Sequence, residues 1–196
     1  MIIEKLQKDS TYQQMSRLAY DRGEMDAFVL TRAISTFERS LISGDSRYDK
    51  YFFQNNSNIL TDAELRGMDL FFGEKTGCSN CHNDFNFTNY AFENNGLYDN
   101  YSDPGRFRLT GDENDRAKFK VPTLRNIELT APYMHDGSME TLEEIILHYE
   151  SGGKNYPNKS ELLQPFTLTE TERNELILFL KTLTDESFIS NPLFKE

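Results

Sequence analysis

The residues best suited to metal or redox chemistry sit in one short stretch, EKTGCSNCHNDF, where Cys78, Cys81 and His82 stand together. The 196-residue chain holds no other cysteine and only two more histidines, His135 and His148. Several chemistries use a C-x-x-C pair. A thioredoxin-like redox pair belongs in a βαβ context, and no such pattern surrounds this one. A disulfide across two residues closes too small a loop to stabilise much. A structural zinc needs four ligands, which Cys78, Cys81, His135 and His148 could supply while leaving His82 idle. Covalent haem attachment employs all three residues of C-x-x-C-H. Two thiols on one turn of chain reach the two neighbouring vinyl groups of the porphyrin, and the next imidazole lies under the iron. The expectation is one covalent haem c, with Cys78 and Cys81 as thioether anchors and His82 as the proximal iron ligand; zinc is the alternative.

A second axial ligand would be Met, His or Tyr. Met134, His135, Met139, His148 and Tyr149 lie downstream. Thr141–Tyr149 reads as a helix, with Thr141 and Glu144 as a capping box and Gly152-Gly153 as the stop. On it Leu142, Ile145, Ile146 and Tyr149 repeat at i, i+3, i+4 and i+7 and share an apolar face. His148 points about 110° away from the middle of that face. Tyr149 therefore faces the core, as an iron ligand or as an ordinary core tyrosine. Met134 and His135 stand on a loop, where periodicity says nothing.

Other elements must position these groups. Asp26–Ile42 is an amphipathic helix, with Ala27, Leu30, Ile34, Phe37 and Leu41 at helical steps and Gly44 beyond it. The preceding stretch with Tyr12 and Leu18 is weaker but also helical. Thr61–Phe72 starts on a Thr61/Glu64 capping box and ends at Gly73. A last helix starts at Thr169, with Glu172 as box partner and Leu176, Phe179, Leu180 and Leu183 as its stripe. From Asn83 to Val121 the periodicity vanishes and turn residues dominate; so long a loop is either functional or wrapped around something. No convincing strand appears. The expected class is all-α: a helical domain with long haem-wrapping loops.

The formal net charge of −11 disfavours nucleic acid as a partner. No stretch approaches the ~20 apolar residues that span a membrane. Glu4 and Lys5 follow Met1–Ile3 at once, so the chain carries no signal peptide. Thioether attachment is made outside the cytoplasm, so a haem c reading implies a periplasmic protein whose N-terminus is truncated here.

The stretch FKVPTLRNIELTAPYMHDGSMETLEEIILHY closely resembles the C-terminal half of bacterial di-haem cytochrome c peroxidases and the related MauG-type enzymes. SDPGRFRLTGDENDR and FERSLISGDSRYDKY belong to the same pattern, and the likeness runs from about Tyr12 to Thr184. The resemblance implies a cytochrome c-like haem domain over residues 51–196 and a helical linker segment, from between the two haem domains, over 1–50. It implies a preceding peroxidatic haem domain, where hydrogen peroxide reacts, and a small cytochrome or copper protein as electron donor. The tryptophan that usually lies between the haems has no counterpart in a chain without tryptophan. In the peroxidases the second haem takes a methionine fourteen residues after the histidine of PYxH; counting from His135 gives Tyr149. MauG-type enzymes carry a ligating tyrosine there. The family also implies part of a calcium site at the backbone oxygens of Thr130 and Pro132. Arg125, a fork donor suited to carboxylates, is a candidate partner for a haem propionate. Two functions follow as expectations: the electron-relay domain of a di-haem oxidoreductase, or a free-standing mono-haem electron carrier.

Overall fold

The computed structural model describes residues 2–194. The chain divides into two compact units, one up to Ser43 and one from Gly44 onward. The first holds α1 (Ile2–Gln7), α2 (Ser10–Tyr20) and α3 (Ala27–Ser40). Asp9 and Asp26 cap α2 and α3 by accepting the backbone N–H groups of Thr11 and Val29, which satisfies helix-end donors that would otherwise lack partners. The Gln7 side chain donates to the Met25 carbonyl at 2.9 Å. The α3 helix forms as its periodicity predicts, but Ile34 and Phe37 of its apolar stripe are exposed.

The second unit contains α4 (Arg47–Phe52), α5 (Asp62–Phe72), α6 (Phe107–Thr110), α7 (Leu142–Glu150), α8 (Glu170–Lys181) and α9 (Glu186–Ser190). The capping boxes expected at Thr61/Glu64, Thr141/Glu144 and Thr169/Glu172 are all formed, each with both reciprocal hydrogen bonds. The main helical contact is α5 against α8. It is close because α5 presents Gly67, where a Cβ would lie 2.0 Å from the Glu175 carbonyl oxygen. Phe71 of α5 and Leu176, Phe179 and Leu180 of α8 fill the core with Phe87, Leu124, Leu142, Ile146 and Leu183.

The compact units divide after Ser43, and α4 belongs to the second unit's core. Tyr48 packs edge-on against Phe87 and Phe179, and Asp49 is fully buried in an ion pair with Arg125. The second unit also has a strand pair that the sequence conceals. β1 (Phe92–Glu93) and β2 (Phe119–Lys120) are antiparallel, with Phe92 opposite Lys120. Two residues per strand are too few to show an alternation. Helices nevertheless predominate, and the stretch from Asn83 to Val121 is otherwise turns and short helical pieces.

Candidate haem site

Cys78 opens a single 3₁₀ turn, Cys78–Asn80, entered through Gly77 in a left-handed conformation (φ 63°). The turn closes on itself: the N–H groups of Cys81 and His82 both donate to the Cys78 carbonyl, at 3.3 and 2.9 Å. This brings both sulfurs and the imidazole onto the wall of one cavity of about 280 Å³. Phe71, Leu124, Ile127, Leu176 and Leu180 supply much of its apolar lining, and the β1–β2 region adds Glu93, Asn94, Asn95 and Phe119. Both cysteines are free thiols. Burial pushes the thiol pKa up at each, with Glu93 adding to the effect at Cys81, so both are neutral at ordinary pH.

His82 is oriented by the backbone. Its Nδ1 lies 3.0 Å from the Phe87 carbonyl. A carbonyl oxygen only accepts, so Nδ1 carries the proton and Nε2 carries the lone pair. Burial holds the imidazole pKa below its usual value, partly opposed by the Phe87 and Pro122 carbonyls. A neutral imidazole, with one nitrogen tied to a carbonyl and the other a lone-pair donor, is the form in which histidine ligates metals.

The α7 helix forms another part of the wall. Leu142, Ile145, Ile146 and Tyr149 all line the cavity, as the shared face predicts. Burial raises the Tyr149 hydroxyl pKa, with the Asn95 side chain opposing and the two cysteines adding to the rise. His148 is off this face. It does not line the cavity, and its Nε2 is 2.9 Å from the Asn95 carbonyl. Met139 is also absent from the lining. Met134 and His135, about which the periodicity was silent, both line it. Met134 has a left-handed backbone (φ 72°), and its sulfur accepts from the Asn95 amide at 3.3 Å. His135 stacks on Phe119, with ring centroids 3.8 Å apart.

The zinc alternative does not survive. With His148 directed elsewhere, the four proposed ligands do not converge, and the described residues contain no cluster of three or more metal-binding side chains. The donor set does fit a haem c: two neutral thiols, a lone-pair imidazole nitrogen and a phenol around one apolar cavity. Arg125 does not line the cavity, and its guanidinium forms a two-pronged pair with Asp49 at 2.8 and 3.0 Å. The fork does bind a carboxylate, but one supplied by α4. Thr130 and Pro132 are exposed, near a cis Ala131–Pro132 bond.

The family described as di-haem cytochrome c peroxidase matches residues 1–58. The methylamine utilization protein MauG of Methylorubrum extorquens is 37% identical over 188 residues, covering 95% of this chain and 53% of that protein. The cytochrome c551 peroxidase of Nitrosomonas europaea is 35% identical, covering 89% of this chain and 50% of its own length. Among solved structures, a MauG-like protein associated with microbial copper homeostasis matches with a TM-score of 0.84 at 40% identity, over 98% of this chain and 64% of that one. The chain spans about half the length of the curated relatives it matches.

Proposed function

Because the chain belongs to the di-haem cytochrome c peroxidase and MauG family of haem oxidoreductases, we propose that its second unit is a one-electron relay domain carrying one covalent haem c. Cys78 and Cys81 would hold the group by thioethers, and His82 Nε2 and the Tyr149 phenol oxygen would be its iron ligands. The carrying observation is that all four side chains line one cavity while the His82 Nδ1 proton is already committed to Phe87. Bound there, the haem would supply reversible one-electron transfer between a small cytochrome or copper-protein donor and a peroxide-reactive haem on another domain. The chain's own residues attach it, fix its axis and exclude water with the apolar wall. The first unit acts as the helical connection to that other domain, and the whole works in the periplasm. Calcium at the Thr130 and Pro132 carbonyls belongs to the same reading. The alternative, a free-standing mono-haem carrier, uses the same site without a second haem.

The test is production of the chain in cells that mature haem c in the periplasm. One haem per chain should resist acid–acetone extraction and give a pyridine haemochrome of the doubly thioether-linked type. Clean extraction of the haem would overturn the reading. Calcium is tested separately, by titration of the haem-loaded chain with and without a chelator. The relay and carrier readings separate on the coding sequence: a second C-x-x-C-H upstream of Met1 supports the relay.

A further inference from the structure

Three consecutive carbonyls follow the C-x-x-C-H turn, and each is gripped. The Phe85 carbonyl accepts from Arg125 Nε at 2.8 Å. The Asn86 carbonyl accepts from the Thr123 hydroxyl at 2.5 Å. The Phe87 carbonyl takes the His82 Nδ1 proton at 3.0 Å. Thr123 and Arg125 are themselves joined, since the Arg125 N–H donates to the Thr123 hydroxyl oxygen at 3.1 Å. The Arg125 guanidinium also lies 4.0 Å from the Phe85 ring centroid, a cation–π distance. Its remaining strength goes into the pair with Asp49, whose side chains are 3% and 1% exposed.

This is a costly arrangement for packing alone. A buried ion pair is weak evidence for stability, because desolvation of both charges offsets their attraction. Phe87 also holds a left-handed backbone (φ 50°), uncommon for a bulky residue and kept only where the surroundings over-determine it. Here the surroundings include the Arg125 and Thr123 bonds to the two preceding carbonyls, beside the Phe87 N–H bond to the Asp84 carbonyl at 3.1 Å and the burial of the Phe87 ring in the core. The product of the arrangement is the direction of the Phe87 carbonyl, and that carbonyl meets one side chain, His82.

We propose that Arg125 and Thr123, with Asp49 as the counter-charge, are positioning residues for the proximal histidine. They aim the Phe87 carbonyl at Nδ1 and so set how strongly His82 donates to the iron. This rests on the reading of His82 as a haem ligand. An outer hydrogen bond of this kind raises ligand basicity, and its loss typically weakens a metal site 10–100-fold. A more basic imidazole favours the ferric state, so loosening the grip should raise the reduction potential.

The experiment compares haem-loaded wild type with Arg125→Lys, Thr123→Val and a control, Leu183→Ala. Leu183 is buried in the core but does not line the cavity. Thr123 is exposed, so its variant reports even where Arg125→Lys fails to fold. Readouts are covalent haem content, thermal midpoint and reduction potential. Haem content should stay at one per chain, since the thioethers do not involve the grip. The ferric preference should fall by about tenfold in Arg125→Lys, which is about 59 mV for one electron. Thr123→Val should move the same way by less, while Leu183→Ala should lose thermal stability with its potential unchanged. Potentials at the wild-type value in both grip variants, or an equal shift in the control, would overturn the proposal. Wild type without covalent haem would instead overturn the parent reading, a result told apart by the haemochrome assay alone.

Discussion

Tyr149 is placed by the face of α7 that it shares with Leu142, Ile145 and Ile146, and burial raises its hydroxyl pKa. Under the proposed ligation, ferric iron would have to displace that proton from a phenol that resists ionising. Replacing Tyr149 with Phe should convert the ferric haem spectrum to a high-spin or water-ligated form, and Tyr149→Met should raise the potential. An unchanged absorption spectrum in Tyr149→Phe would transfer the ligand role to Met134 or His135, which line the same cavity. Tyr48 gives a pH prediction at the same scale. Burial, reinforced by Asp49 and opposed by Arg125, pushes its pKa up to about 12 from a normal 10. A raised acid pKa means the fold prefers the neutral phenol. The corresponding stability, roughly 2–3 kcal/mol, is therefore complete below pH ~10 and lost as pH rises towards 12. Denaturant midpoints across that window should fall in wild type and stay flatter in Tyr48→Phe. At this scale the sequence was informative about placement: Cys78, Cys81 and His82 are neighbours in the chain, and the helix face directs Tyr149 into the cavity they line. It was uninformative for Arg125. A guanidinium suits any carboxylate, and that the carboxylate is Asp49, 76 residues away, is a fact of tertiary packing.

Among the elements, the helices that begin on Ser/Thr-x-x-Glu boxes were legible because the capping bonds are local. Their partners lie three residues apart, so the sequence contains the whole interaction. The α4 helix uses the same device, with Ser46 and Asp49, but its six residues give no periodicity to accompany the cap. The close crossing of α5 and α8 was not legible either, since a glycine inside a helical pattern usually signals weakness. Here it is a contact surface. Gly67→Ala should destabilise the domain by about 3 kcal/mol, because the new Cβ meets the Glu175 backbone and not a movable side chain. Chemical denaturation should show a lower midpoint. A melting curve equal to wild type would mean that the two helices can separate without cost.

At the scale of the whole molecule, the site is assembled from distant parts of the second unit: the C-x-x-C-H turn, the β1–β2 pair, the APYMH loop, α7 and α8. Peroxide reduction takes two electrons, an open iron position and nearby acid–base groups. A haem held as proposed, by both His82 and Tyr149, would offer one electron and no open position. The haem-loaded chain should therefore consume peroxide far below ~10 per second, a typical enzyme turnover, with a reduced cytochrome as donor. Steady-state assays at or above that rate would defeat the relay assignment. The long-range assembly of the cavity wall also bears on biosynthesis. Once the second unit has closed, both thiols are neutral and set in a wall whose other residues run from Phe71 to Leu180. If a haem is attached as proposed, folding and attachment are competitors in time, and the haem should be received while the chain is still open. In an order-of-addition experiment with the maturation machinery, a pre-folded chain should be labelled much more slowly than one released from denaturant in its presence; equal rates would show that the wall opens freely.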